Sequence, residues 1–243
     1  MGFRTRIPNA ITSMNLLCGA VGVIFAFKGR LDIAFLMMLA AALCDYLDGL
    51  TARLLGVISD TGKELDSLSD VVSFGVLPSM MLFNLMAASH GWGNALCYIP
   101  LLIAAFSALR LAKFNLDERQ SHSFIGLPTP ASALLCGSLC HLVTLSPDSF
   151  LASWAAGDVF IPLLSVVLCA LLVSSIPMFS LKFGAGHKLA ARDLFRVIFV
   201  LAVIAGSALW CILGHISWSA VVLCSFCAYI LENIILAFFS TSK

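Results

Sequence analysis

Four aspartates at two short, fixed spacings are the residues of this 243-residue chain whose types and positions could do chemistry. One apolar stretch closes on Asp45-Tyr-Leu-Asp48-Gly49-Leu-Thr-Ala52-Arg53, and the next opens on Gly62-Lys-Glu-Leu-Asp66-Ser-Leu-Ser-Asp70. On an α-helix, positions 45, 48, 49 and 52 share one face, and positions 62, 66 and 70 share another at i, i+4 spacing. With a turn over about residues 56–60, Asp45 and Asp70 each lie about ten residues inward, or about 15 Å at about 1.5 Å per residue. Asp48 and Asp66 then pair one turn shallower. Two antiparallel neighbours would bring four carboxylates to matched depths.

Repulsion is the consequence, since two like charges roughly 4 Å apart cost about 4 kcal/mol at an effective dielectric of about 20. Cations relieve it. All-oxygen ligation by carboxylates suits Mg²⁺ or Mn²⁺, and a pair of such ions would clamp a diphosphate. Gly49, Ala52 and Gly62 carry little or no side chain on the same faces, which lets backbones approach and leaves room for a flat group such as a nucleobase. Arg53 adds a fixed positive charge for phosphate. Asp60 and Glu64 fall in the turn or off that face and read as surface charges. Solvated helix ends and small-residue packing faces are the ordinary alternative, but Asp45 and Asp70 lie too deep for solvated ends.

The elements that must hold these residues are written in the composition. Hydrophobic residues make up 60% and charged residues only 11%, mean hydropathy is +1.02, and soluble domains run near about 25% charged. Runs of the length that crosses hydrocarbon predict an all-α, polytopic transmembrane helix bundle of about eight spans, near 10–27, 31–55, 62–88, 94–113, 127–146, 158–178, 194–213 and 216–239. Alternating these spans from a cytoplasmic N-terminus leaves only Lys28 and Arg30 outside and the other twelve of the fourteen Lys+Arg inside. Both termini and the acidic cluster are therefore expected on the cytoplasmic side. The opening MGFRTR followed by an apolar run lacks a convincing cleavage site before Lys28 and is read as a span. Position six is Arg6, which excludes the myristoylation pattern.

Connections are short, apart from polar stretches over Asn115–Ser123 and Ser180–Asp193, so one domain over residues 1–243 is expected, with a motif-bearing core near 7–178 and further spans near 194–239. Pro147–Asp158 could hold a short interfacial helix carrying Trp154. Near-neutral net charge gives no nucleic-acid footprint. The nine cysteines, Cys224 and Cys227 included, read as apolar packers without a disulfide framework.

Together, Asp45, Asp48, Gly49, Ala52, Arg53, Gly62, Asp66 and Asp70 fit Asp-x2-Asp-Gly-x2-Ala-Arg-x8-Gly-x3-Asp-x3-Asp without a departure. This resembles the signature of the CDP-alcohol phosphotransferase family. The resemblance implies that Asp45, Asp48, Asp66 and Asp70 bind two metal ions and that Asp70 also accepts a proton. It places nucleotide contacts on Gly49, Arg53 and Ser59, and the cytidine pocket at Ala52 and Gly62. Residues 65–78, Arg110-Leu-Ala-Lys-Phe-Asn115, residues 124–132 and Ile7-Pro-Asn9 are similar to the phosphatidylserine synthase branch. The resemblance covers roughly residues 7–132 well and the later spans only by hydropathy. It implies CDP-diacylglycerol and L-serine as substrates, a prokaryotic cytoplasmic membrane as location, membrane lipids as surroundings and a homodimer.

A zwitterionic acceptor needs a cation for its carboxylate, and Arg110 and Lys113 at i, i+3 are the candidates. Positive-inside anchoring or a lipid phosphate would use them equally well. Ser73, with Ser69, flanks Asp70 and could touch acceptor, although serine in membrane helices more often bonds its own backbone. His141 reads as a packed histidine, and Glu232 as snorkelling or paired with a basic residue. Inositol phosphate or glycerol phosphate could replace serine without changing the four aspartates. An intramembrane prenyltransferase also uses aspartates with Mg²⁺ but lacks the Gly49-x2-Ala-Arg53 element. A cation transporter is disfavoured, because no broken-helix repeat is visible.

Overall fold

The computed structural model describes residues 3–57, 59–116, 124–178, 191–214 and 217–241. Its long rods are α1 (Phe3–Phe27), α2 (Leu31–Leu55), and α3 (Asp60–Asp70) running through a wide π turn (Val71–Val76) into α4 (Leu77–His90). Next come a 3-10 segment (Ala95–Leu101) leading into α5 (Leu102–Leu116), then α6 (Thr129–Leu145), the short α7 (Phe150–Ala155), α8 (Phe160–Val173), α9 (Ala191–Gly214) and α10 (Ser219–Thr241). Among the described residues, five helical stretches are long and apolar enough to cross a membrane, and three shorter apolar ones lie over Thr129–Leu145, Phe160–Val173 and Leu201–Gly214. The eight rods sit where the apolar runs predict them. The short helix expected around Trp154 is α7, capped by Ser149, whose hydroxyl accepts from the Ala152 amide. The polar stretches over 117–123 and 179–190 lie outside the described residues.

One boundary differs from the hydropathy reading. The span expected to reach residue 178 stops at Val173, where Ser174 turns extended (ψ 159°) and Ser174 Oγ donates to the Leu171 carbonyl at 2.9 Å. Pro177 disfavours helix in the residue before it. The freed chain forms a two-residue strand, β2 (Pro177–Met178), antiparallel to β1 (Phe124–Ile125). The Gly126 and Leu127 amides then donate to the Ile176 and Leu171 carbonyls, both at 2.9 Å. Gly126 has φ +79°, and a Cβ there would lie 2.7 Å from the Leu172 carbonyl oxygen. Only glycine passes that point without strain. This knot fixes the start of α6.

In lipid, helices associate through close packing and polar contacts rather than by expelling water. The bundle follows that rule. A Cβ on Gly19 would run into Ser73, so α1 presses against the π turn. One on Gly137 would lie 2.6 Å from Phe35 Cδ2 and 2.9 Å from Met38 Sδ, so α6 is seated on α2. Buried Phe35, Met38, Phe74, Leu77, Met81 and Leu139 fill the space between. Leu17, Ile24, Leu43, Leu109, Leu163 and Ile212 instead face outward, as a lipid-facing surface requires. The π turn starts directly after Asp70 and ends two residues short of Pro78, which has no N–H for the carbonyl of Phe74. Such wide turns are common at functional sites and absorb this kind of break.

Candidate active site

Both halves of the acidic signature are shaped locally before they meet. α2 ends cleanly because Gly56 adopts a left-handed conformation (φ 63°, ψ 29°) and its amide reaches the carbonyls of Ala52 and Arg53. α3 begins at Ser59, whose hydroxyl accepts from the Gly62 amide at 3.0 Å. α1 lies along both helices, and the carboxylates of α2 and α3 meet beside it.

There Asp45, Asp48 and Asp66 bring one carboxylate oxygen each to within 4.8 Å of one another. Asp70, one turn further along α3, is buried and accepts from Asn15 Nδ2 of α1 at 3.3 Å. It stays within electrostatic range of Asp45, Asp66 and Asp48. Hydroxyls sew α3 and the π turn onto α1: Ser69 Oγ donates to the carbonyls of Leu65 (2.8 Å) and Thr12 (3.3 Å), and Ser73 Oγ to that of Asn15 (3.0 Å). Ser73, a candidate for acceptor contact, is thus committed to helix packing.

The donor set fits a hard divalent cation. It is all oxygen, and Asp48 Oδ2 and Asp66 Oδ1 are buried without a hydrogen-bond partner, an arrangement a cation would relieve. Beside it opens a cleft of about 250 Å³, whose walls include Asn9, Thr12, Gly49, Ala52, Ser59 and Gly62. Nothing lies within 4 Å of the place a Gly49 Cβ would occupy, whereas one on Gly62 would meet Ser59 Oγ at 2.8 Å and Asn9 Oδ1 at 3.0 Å. Gly49 thus faces the open cleft and Gly62 forms its wall. Arg53 is exposed at the rim, with Nε donating to the Gly49 carbonyl at 3.0 Å. Four of the five expected nucleotide-contact positions line the cleft, and Arg53 borders it.

Arg110 and Lys113 part company. Arg110 is buried, donates from Nη1 to Thr129 Oγ1 at 3.1 Å, stands 5.6 Å from the Phe114 ring centroid and lies within electrostatic range of Asp70. Lys113 is exposed. Residues to which the sequence assigned no role also belong here: Asn15, Thr12 and Asn9 of α1, and Lys63, which lines the cleft and donates to the Asn115 carbonyl at 3.3 Å. The signal was present, since Asn9, Thr12 and Asn15, followed by Gly19 and Gly22, form a polar and small stripe at helical spacing in an otherwise apolar span. His141 is packed against Phe35 and Trp218, with ring centroids 5.3 and 5.1 Å away.

Comparison with known proteins agrees with this picture. The chain is 32% identical over 212 residues to the CDP-diacylglycerol–serine O-phosphatidyltransferase of Mycobacterium leprae, covering 83% of this chain and 66% of that protein. It is 34% identical over 128 residues to the enzyme of that name from Bacillus subtilis (53% and 71%). Against that of Methanocaldococcus jannaschii it is 36% identical over 137 residues (56% and 61%). The chain thus spans under two thirds of the length of the M. leprae and M. jannaschii proteins. The CDP-alcohol phosphatidyltransferase family model matches residues 5–227, across both halves of the acidic site and on into the last span. With its long apolar helices, the chain is an integral membrane protein and a member of the CDP-alcohol phosphatidyltransferase family.

Proposed function

We propose that the protein transfers the phosphatidyl group of CDP-diacylglycerol to the hydroxyl of L-serine, yielding phosphatidylserine and CMP. The observation that carries the reading is the junction of a triad of carboxylates with a cleft whose wall and opening are glycines of the signature. The names of the relatives support serine as acceptor.

On this reading Asp45, Asp48 and Asp66, completed by Asp70, hold two divalent cations. When bound, Mg²⁺ or Mn²⁺ would offset the charge of the diphosphate and of departing CMP. Gly49 and Ala52 admit the cytidine, Gly62 and Ser59 form its wall, and Arg53 and Lys63 face phosphate oxygens. The serine oxygen attacks the phosphorus that bears the diacylglycerol arm. An O–P bond forms there, the pyrophosphate P–O bond breaks, and CMP leaves with the electron pair. Asp70 takes the hydroxyl proton, and Asn15 holds its carboxylate in place. Arg110, buried near Asp70, pairs with the acceptor carboxylate. The site opens to the cytoplasm, where the basic residues gather. The chain works as one domain in a homodimer in a prokaryotic cytoplasmic membrane.

The test is a panel of alcohols offered to purified protein with CDP-diacylglycerol and Mn²⁺ or Mg²⁺. CMP release and a new phospholipid are expected with L-serine. Turnover with glycerol phosphate or inositol phosphate instead would overturn the acceptor, and turnover only of an isoprenoid diphosphate would overturn the donor.

A further inference from the structure

The last span packs along α6 and contacts β2, and its register on α6 can be worked out. At one end Trp218, the residue before α10, lies against His141 near the end of α6, with ring centroids 5.1 Å apart. Thr129, at the start of α6, is twelve residues back from His141 (141 − 129), or about 18 Å along the axis. In the antiparallel α10, eleven residues forward from Trp218 (229 − 218) is Tyr229, about 17 Å along. Tyr229 therefore arrives at the depth of Thr129, whose Oγ1 accepts from the Arg110 guanidinium at 3.1 Å. Consistently, Tyr229 lies within electrostatic range of both Arg110 and Glu232. Tyr229, Glu232 and Asn233 share a face at i, i+3 and i+4, and Asn233 Nδ2 donates to the Tyr229 carbonyl at 2.7 Å.

An arginine buried in a membrane span is costly unless its partners are fixed. Arg110 lies within electrostatic range both of Asp70, which the proposed reaction uses, and of Tyr229 on this polar face of α10, which lies beyond the acidic signature. We infer that α10 completes the acceptor side of the site, with Tyr229 and Glu232 as positioning residues that hold the Arg110 guanidinium for the carboxylate of an amino-acid alcohol. The inference rests on the function proposed above. It gives the last span a role in choosing the acceptor, separate from the metal and nucleotide sites on α1, α2 and α3.

The experiment compares full-length purified wild type with Tyr229→Phe, which removes only a hydroxyl, and Glu232→Gln, which removes only a charge. KM for L-serine and KM for CDP-diacylglycerol are measured separately, with thermal unfolding in detergent as a check of the fold. Losing one hydrogen bond to a charged group raises KM for serine about tenfold or more, with KM for the CDP-lipid and the metal dependence unchanged. An unchanged serine KM in both variants, or KM values for both substrates moving together, would overturn the role of α10. Wild type that releases CMP only with a different alcohol would overturn the serine assignment alone, and the same pair of KM values for that alcohol would then decide the role of α10.

Discussion

Gly49 separates the stability of the fold from the use of its cleft. It lies within α2, where glycine is about 1 kcal/mol less favourable than alanine in a helix interior, and a Cβ added there meets nothing within 4 Å. Gly49→Ala should therefore leave the folded protein as stable as wild type or more so by up to about 1 kcal/mol. The new methyl projects into a cleft of about 250 Å³. If cytidine packs against this face, the intrusion costs about 1–3 kcal/mol of overpacking, or a rise in KM for CDP-diacylglycerol of roughly five- to 150-fold. Gly49→Leu should abolish binding while the thermal midpoint stays near wild type. The assay pairs thermal unfolding in detergent with CMP release across a CDP-diacylglycerol titration at saturating serine. A variant of normal stability with a normal KM for the CDP-lipid would refute the placement of the nucleotide.

Asp70→Asn keeps the shape and the Asn15 contact but removes the proton acceptor, so turnover should fall at least about a hundredfold while CDP-lipid binding is largely kept; wild-type-like CMP release would refute that role. Chelation with EDTA should abolish activity reversibly, and Asp45→Asn should raise the Mn²⁺ or Mg²⁺ concentration needed for half activity together with KM for the CDP-lipid; activity indifferent to chelator would sink the metal reading. Gly19→Val drives a branched side chain into Ser73 at the α1 contact and should cost several kcal/mol, seen as a lowered thermal midpoint; normal stability would refute the close approach.

Much of the site was legible because the types and spacing of its residues are local facts. Asp45, Asp48 and Gly49 share a helical face whatever surrounds them, and so do Gly62, Asp66 and Asp70. An apolar chain in lipid must satisfy its backbone within each span, so runs of that length become helices and their number could be counted. What the helices do to each other is not local. The turn gives depth along each helix, but only the bundle shows that α1 lies along both, that Asp45, Asp48 and Asp66 draw together, and that Asp70 also takes a hydrogen bond from Asn15. Likewise, nothing in the spacing of Arg110 and Lys113 says that one is buried and the other exposed. That follows from where α5 meets the π turn and the start of α6. Side-chain chemistry and helical period are properties of the chain alone, whereas which faces touch depends on packing between residues distant in sequence, and only the assembled bundle decides it.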